Sequence, residues 1–259
     1  MDLLEMRSIA RRAALIGAEV VLNGQPPVVG DAKGLPGDWV TSVDVAAERA
    51  IAAWLAEQTP KIPVQGEELG GALEGLRWVV DPLDGTTNFV HGFPAVGVSV
   101  ALVQEDRAVA GAIAAPFLGD LWHGSAGGGA LWERPGGSAR TCQVSTRAPR
   151  DAVVATGFPF RHTERLPRYL NTMKAALDAF EDLRRPGAAS LDLAWTACGV
   201  FDGFFELGLA PWDVAAGALL VHEAGGVVTD WGGGPDHLSG DILAAPPQVH
   251  AGLLAIAAE

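Results

Sequence analysis

WVVDPLDGTTNFVHGFP, residues 78–94, begins as an apolar strand and ends in a turn built from two aspartates, a proline and a glycine. Pro82 fixes its own φ and disfavours helix at the residue before it, so Asp81 and Asp84 sit in a stiff turn at the strand end. Gly85 lets the backbone approach a ligand closely, and Thr86 and Thr87 add hydroxyls and amide donors at the expected start of a helix, a ready anion site. Hard oxygen ligands beside backbone amides suit a divalent cation together with a phosphate. Alone, DPLDGT reads equally well as a simple turn, because Asp, Pro and Gly are the common turn residues. The strand before it and the TTN after it favour the site.

Further acids lie outward from this segment. Glu67 and Glu68, in GEELGG, follow a predicted strand at 62–65, and beside two aspartates one of them becomes a candidate metal ligand. Asp44 falls in the first turn of a predicted helix over 43–58, with Thr41 and Ser42 before it as candidate caps. Asp213, in APWDVAAGALLVHEAGG, reads as an N-cap, and Glu206 ends the predicted strand DGFFEL. Each acid has an ordinary explanation as a cap or a solvated surface group. Together they gather at strand ends and helix starts, where layered folds bind ligands.

The remaining pattern predicts a helix over 3–22, antiparallel strands through the middle of the chain, and alternating strands and helices after about residue 150. Glu105-Asp106 is a hairpin-like break between two of the strands. Without an internal repeat or a low-complexity linker, the expected division is an N-terminal α+β half, 1–148, and a C-terminal α/β half, 149–259. The Gly/Pro-rich stretch VVGDAKGLPGDW, carrying the lone Lys33, is expected to be a flap or a surface loop.

Composition narrows the function. The 259 residues carry 31 Asp and Glu against 18 Lys and Arg, a formal charge of -13, the wrong sign for a protein that grips a phosphate backbone directly. Divalent cations would let such a chain handle a phosphorylated substrate. Two cysteines outside any CxxC pair exclude a disulfide scaffold and a structural zinc site. The charged first helix is unlike a signal peptide and no long apolar run is present, so a soluble, cytoplasmic protein without membrane association is expected. The DxDGT motif of haloacid-dehalogenase-like phosphatases is only superficially similar. Here Pro82 and Leu83 separate the aspartates, and the extra residue re-aims the second carboxylate.

The chain resembles the inositol monophosphatase family, particularly its bacterial members. The matching segments are GEE at 66–68, the 78–94 segment, and the stretch from RRPGAASLDLAW to WDVAAGALLVHEAGG at 184–226. DWVTSVDVAAE at 38–48 and TGFPF at 156–160 match as well. The resemblance implies a layered α-β-α-β-α sandwich, a homodimer, and a lithium-sensitive phosphomonoesterase using two or three Mg²⁺ ions. It implies a first ion held by Glu67, Asp81 and the Leu83 carbonyl, and a second held by Asp81, Asp84 and Asp213. A third, weaker ion is implied near Glu67 through waters.

By the same resemblance the amides of Gly85 and Thr86 hold the phosphate, and Thr86, hydrogen-bonded to Asp44, orients the attacking water. Glu206 and the backbone around Gly187 and Ala189 contact the alcohol, and Lys33 matches the family's flap lysine. Such chemistry needs no Cys, Ser or His nucleophile, so His91 and His222 read as structural. The chain departs from the family after Gly187, where alanine replaces the common threonine or serine. DGTTNF argues against relatives acting on histidinol phosphate or phosphoadenosine nucleotides. Inositol monophosphate is the expected substrate, with fructose 1,6-bisphosphate, a broader set of sugar or polyol phosphates, or a purely regulatory binding role as alternatives.

Overall fold

Thr41 starts the second helix with a side-chain cap: its Oγ1 accepts from the Val43 amide at 3.1 Å, and Asp44 Oδ2 accepts from the Thr41 amide at 2.9 Å. The computed structural model describes residues 1–26, the backbone of 31 and 32, and residues 39–258. Lys33 and most of the expected flap lie outside the described residues. The chain runs α1 (Leu3–Asn23), β1 (Asp31–Ala32), β2 (Trp39–Val40), α2 (Ser42–Gln58), β3 (Val64–Gly66), β4 (Gly70–Gly71), β5 (Arg77–Asp84) and α3 (Thr86–His91). The strands β6 (Gly97–Gln104), β7 (Arg107–Ala115), β8 (Asp120–Ser125), β9 (Gly129–Glu133) and β10 (Arg140–Thr141) follow. They complete an eight-stranded sheet in the order β10-β9-β8-β7-β6-β5-β3-β4.

The second half contributes β11 (Val153–Thr156), α4 (Leu166–Ala179), β12 (Asp182–Arg184), α5 (Ala189–Ala197), β13 (Gly203–Glu206), α6 (Pro211–Glu223), β14 (Val227–Thr229), β15 (Ile242–Ala245) and α7 (Pro247–Ala257). Its five strands form a second sheet, β12-β11-β13-β15-β14. The order of layers follows from which apolar faces meet. Ala10, Ala14, Val21 and Ile51 of α1 and α2 pack on Val98, Val100 and Ala112 of the large sheet. Its other face, with Val79, Ile113 and Trp122, packs on Leu193, Val214 and Leu220 of α5 and α6, which also meet Phe204 and Ala244 of the second sheet. Tyr169, Val249 and Leu253 of α4 and α7 cover the far side through Phe205 and Leu243. The result is the α-β-α-β-α sandwich that the resemblance implied. Among the described residues no helix is long and apolar enough to cross a membrane.

Two readings change on contact with the structure. The central sheet is antiparallel along β5 to β10, but β3 pairs parallel to β5, because the intervening chain crosses back through the short edge strand β4. Asp213 is the third residue of α6 rather than its N-cap. Ala210 is the cap and Pro211 takes the first helical position, where its missing N–H costs no bond. Glu105 and Asp106 do form the hairpin turn, both with positive φ (49° and 57°), as a two-residue connection of this twist demands.

The middle helical layer leaves little spare volume. A Cβ on Gly217 of α6 would lie 2.4 Å from Leu193 Cβ of α5. Gly217→Ala is therefore expected to destabilise the fold by about 1–3 kcal/mol through overpacking. A urea unfolding midpoint equal to that of the parent chain would contradict this packing.

Candidate functional site

Between Asp81 and Asp84 the pairing of β5 with β6 slips. Asp81 faces Ser99 and Asp84 faces Gly97, so three steps on β5 match two on β6. This is a β-bulge, placed where Pro82 has no amide to give the ladder. Residues three apart on a regular strand point to opposite faces. The extra residue turns Asp81 and Asp84 to the same face, toward α5 and α6. The neighbours on β6 mark that face: Ser99 Oγ donates to the Trp212 carbonyl, and a Cβ on Gly97 would meet Ser190 Oγ at 2.4 Å.

Asp213 comes to the same place on the first turn of α6. One carboxylate oxygen each of Asp81, Asp84 and Asp213 lies within 4.8 Å of the others. Asp81 Oδ1 accepts from the Leu83 amide at 2.9 Å, and Asp213 Oδ2 accepts from the Ala210 amide at 2.7 Å. Asp84 Oδ2 is held by both the amide and the hydroxyl of Ser190, at 2.7 and 2.5 Å. Glu67 is brought alongside by its own amide, which donates to the Val80 carbonyl at 3.2 Å.

These groups help line a cleft of about 500 Å³ whose walls include Leu83, Gly85, Thr86, Gly187, Ala189 and Glu206. Glu206 ends β13, as its sequence position implied. The lining also includes a basic and aromatic set, Phe158, Phe160, Arg161, His162 and Arg185. Arg185 lies over the rings of both Phe158 and Phe160, at 5.4 Å from each.

Crowded, buried carboxylates resist ionisation. Burial first, then the charges of Glu67, Asp84 and Asp213, pushes the Asp81 carboxyl well above its ordinary value. Burial pushes Asp84 up to about 6, against the hydrogen bonds from Ser190. Asp213 rises to about 7 through burial and then Asp84, and Glu206 to about 8 through burial and then Asp213. What lifts all four is desolvation and the charge of neighbouring carboxylates, Glu67 among them, the condition that a divalent cation relieves. An all-oxygen donor set suits Mg²⁺, so the residues present fit such an ion.

Thr86 donates to Asp44 Oδ1 at 3.0 Å and lies 3.1 Å from the Leu83 carbonyl. Asp44 is buried, and it also accepts from the Thr41 hydroxyl at 2.5 Å. Gly85 takes a left-handed φ of 88°, and among the described residues no side chain caps the amides of α3 behind it. His91 and His222 are exposed and stand outside the cleft.

Four contributors escaped the sequence reading. Ser190 holds Asp84 from 106 residues away. Asn88 Nδ2 donates to the carbonyls of Ala95, Pro186 and Gly187, tying α3 to the start of α5. Glu48 accepts from the amides of Glu68 and Leu69. Asp192 is buried on α5 with Oδ1 unbonded among the described residues, and burial, then Glu206 and Asp84, pushes its carboxyl well above the usual range. All four stood within quoted segments, Glu48 in 38–48, Asn88 in 78–94 and Ser190 and Asp192 in 184–226, but nothing local marked them as long-range partners.

A sequence model of the inositol monophosphatase family matches residues 2–259. The chain belongs to that family. It is 40% identical over 261 residues to a protein of Pseudomonas aeruginosa named Nus factor SuhB, covering 96% of this chain and 94% of the relative. Among solved structures, the extragenic suppressor protein suhB of Bartonella henselae superposes with a TM-score of 0.90 at 36% identity, covering 98% of each chain. An inositol monophosphatase from Anabaena superposes with a TM-score of 0.86 at 32% identity, covering 99% of this chain and 96% of that one.

The raised carboxyls give the metal-free protein a pH dependence of defined sign. In the unfolded chain these groups ionise near pH 4, whereas in the folded chain Asp84, Asp213 and Glu206 hold their protons to about 6, 7 and 8. The folded state binds more protons in that window, so this contribution to stability is complete below about pH 4 and is lost as pH rises through 6 to 8. In EDTA the melting temperature is expected to fall between pH 5 and 8, less steeply in Asp84→Asn. Equal slopes in the two proteins would refute this origin.

Proposed function

We propose that the chain is a Mg²⁺-dependent phosphomonoesterase that hydrolyses inositol monophosphate, or a closely similar polyol phosphate, to the alcohol and phosphate. The observation that carries the reading is the convergence of Asp81, Asp84 and Asp213 to within 4.8 Å in the cleft. Glu67, Asp81 and the Leu83 carbonyl would hold one ion, and Asp81, Asp84 and Asp213 a second, with a third loosely near Glu67. When bound, such ions stabilise charge on the attacking and leaving oxygens of an in-line displacement.

The chain's own groups do the rest. The amides at Gly85 and Thr86 donate to the phosphate oxygens at the start of α3. Thr86 Oγ1, with its proton committed to Asp44 or the Leu83 carbonyl, has lone pairs left to accept from a water and so aim that water's oxygen at phosphorus. Glu206 and the backbone at Gly187 and Ala189 face the alcohol. With alanine after Gly187, that contact relies on backbone groups. Family membership supports assembly as a homodimer and lithium sensitivity, and the acidic surface fits a cytoplasmic protein that does not touch nucleic acid directly.

Two further readings have support. Arg161, His162 and Arg185 line the same cleft, which favours a substrate with a second anionic substituent, such as fructose 1,6-bisphosphate. The name of the Pseudomonas relative, Nus factor, favours a binding role in transcription alongside or in place of catalysis. Phosphate release from inositol monophosphates, fructose 1,6-bisphosphate and nucleotide phosphates, with and without Mg²⁺, separates the three. Mg²⁺-dependent release from one of them is expected, and Asp81→Asn or Asp84→Asn should lower it by at least about 10²-fold while leaving the protein folded. A folded mutant with most of its activity would sink the metal assignment. No release from a metal-bound parent chain would favour the binding role.

A further inference from the structure

Helix α2 carries two buried carboxylates one turn apart, Asp44 and Glu48, each 1% exposed. One turn of helix places both on the same side of α2. Asp44 reaches Thr86, on the phosphate side of the cleft. Glu48 reaches the turn after β3, where its Oε2 accepts from the Glu68 amide at 2.8 Å and its Oε1 from the Leu69 amide at 2.9 Å. Its carboxylate also lies flat against the preceding backbone, since a Cβ on Gly66 would fall 1.9 Å from Oε1. Glu67 is therefore bracketed. Gly66 before it is packed on Glu48, the two amides after it bond to Glu48, and its own amide is fixed to Val80.

We propose that Glu48 is a positioning residue for the metal centre: its two-oxygen grip on the turn at 66–69 aims Glu67 toward Asp81. This inference rests on the reading that Glu67 holds a divalent cation. Charged acceptors make the stronger hydrogen bonds to backbone amides, and a carboxylate can satisfy two N–H groups that lie side by side. Glutamine cannot. It offers one oxygen, so one of the two amides would face an NH₂ group, donor against donor. Partners that orient a ligand typically change metal affinity by about 10–100-fold when removed. A brace that served folding alone would change stability and leave affinity untouched.

The test compares the full-length parent chain with Glu48→Gln and Gly66→Ala. In the second variant the added methyl displaces the Glu48 carboxylate without removing it. Mg²⁺ binding is measured by titration calorimetry on protein shown to be folded by circular dichroism, and the Mg²⁺ dependence of phosphate release is followed in parallel. Both variants are expected to weaken Mg²⁺ binding by about ten-fold or more, with turnover largely recovered at saturating Mg²⁺. Folded variants that bind Mg²⁺ like the parent would overturn the positioning role and leave Glu48 a fold brace. Should Glu48→Gln fail to fold, Gly66→Ala decides by the same two outcomes. A folded parent chain that binds no Mg²⁺ would instead overturn the metal reading beneath both.

Discussion

Mutual repulsion among carboxylates withdrawn from water is the constraint around which this protein is organised. Asp81, Asp84 and Asp213 share a volume a few ångströms across, with Glu67 and Glu206 lining the same cleft. Buried charges of one sign are expensive unless hydrogen bonds or a counter-charge offset them. The fold supplies the first of these from every side. The bulged strand contributes the Leu83 amide, α5 contributes the amide and hydroxyl of Ser190, and α6 contributes the Ala210 amide. Even so, the carboxyls remain well above their ordinary range, so the donors reduce the strain without removing it. The shortfall is what the site can spend on binding a cation.

The layers follow from the same need. Two sheets back to back could not deliver donors from helix starts to the end of β5. A helical pair between them can, because α5 and α6 both begin at the cleft. Their apolar bodies, Leu191, Leu193, Val214 and Leu220, fill the space between the sheets and hold those beginnings in place. The tight meeting of Gly217 with Leu193 belongs to this arrangement. Core packing and site geometry are thus one problem here, since a shift of either helix would move Ser190 or Asp213.

Much of this was legible in the residues. The strand and turn at 78–94, the capped start of α2, the Glu105-Asp106 hairpin and the acids at element ends all carry their meaning locally, in proline, glycine and the spacing of apolar positions. The resemblance to a family then joined them into a site, and the hydrogen bond from Thr86 to Asp44 is present as it implied. What stayed hidden depends on distant pairing. Ser190 looks like any helix-start serine until Asp84 arrives beside it, and Glu48 looks like a solvated glutamate on a helix until the turn after β3 folds over it. The parallel course of β3 beside β5 was hidden too, because strand direction is decided by how the chain returns and not by the strand's own composition.

The bulge at Pro82 and Leu83 makes the spacing of the two aspartates a matter of parity. Along a pleated strand, inside and outside alternate with every residue, so the number of residues between two side chains matters more than their identity. Replacing Leu83 by another apolar residue alters a packing contact. Deleting it would leave the aspartates two apart on an unbulged strand, still on one face; it is the present spacing without the bulge that would send one carboxylate to the face covered by α1 and α2, where Val98 and Ile51 pack. A change in the number of residues here therefore has to be matched by a change in the ladder, whereas a substitution does not. Families with one fewer residue between their aspartates are separated from this one by a discrete step that no series of side-chain changes can cross.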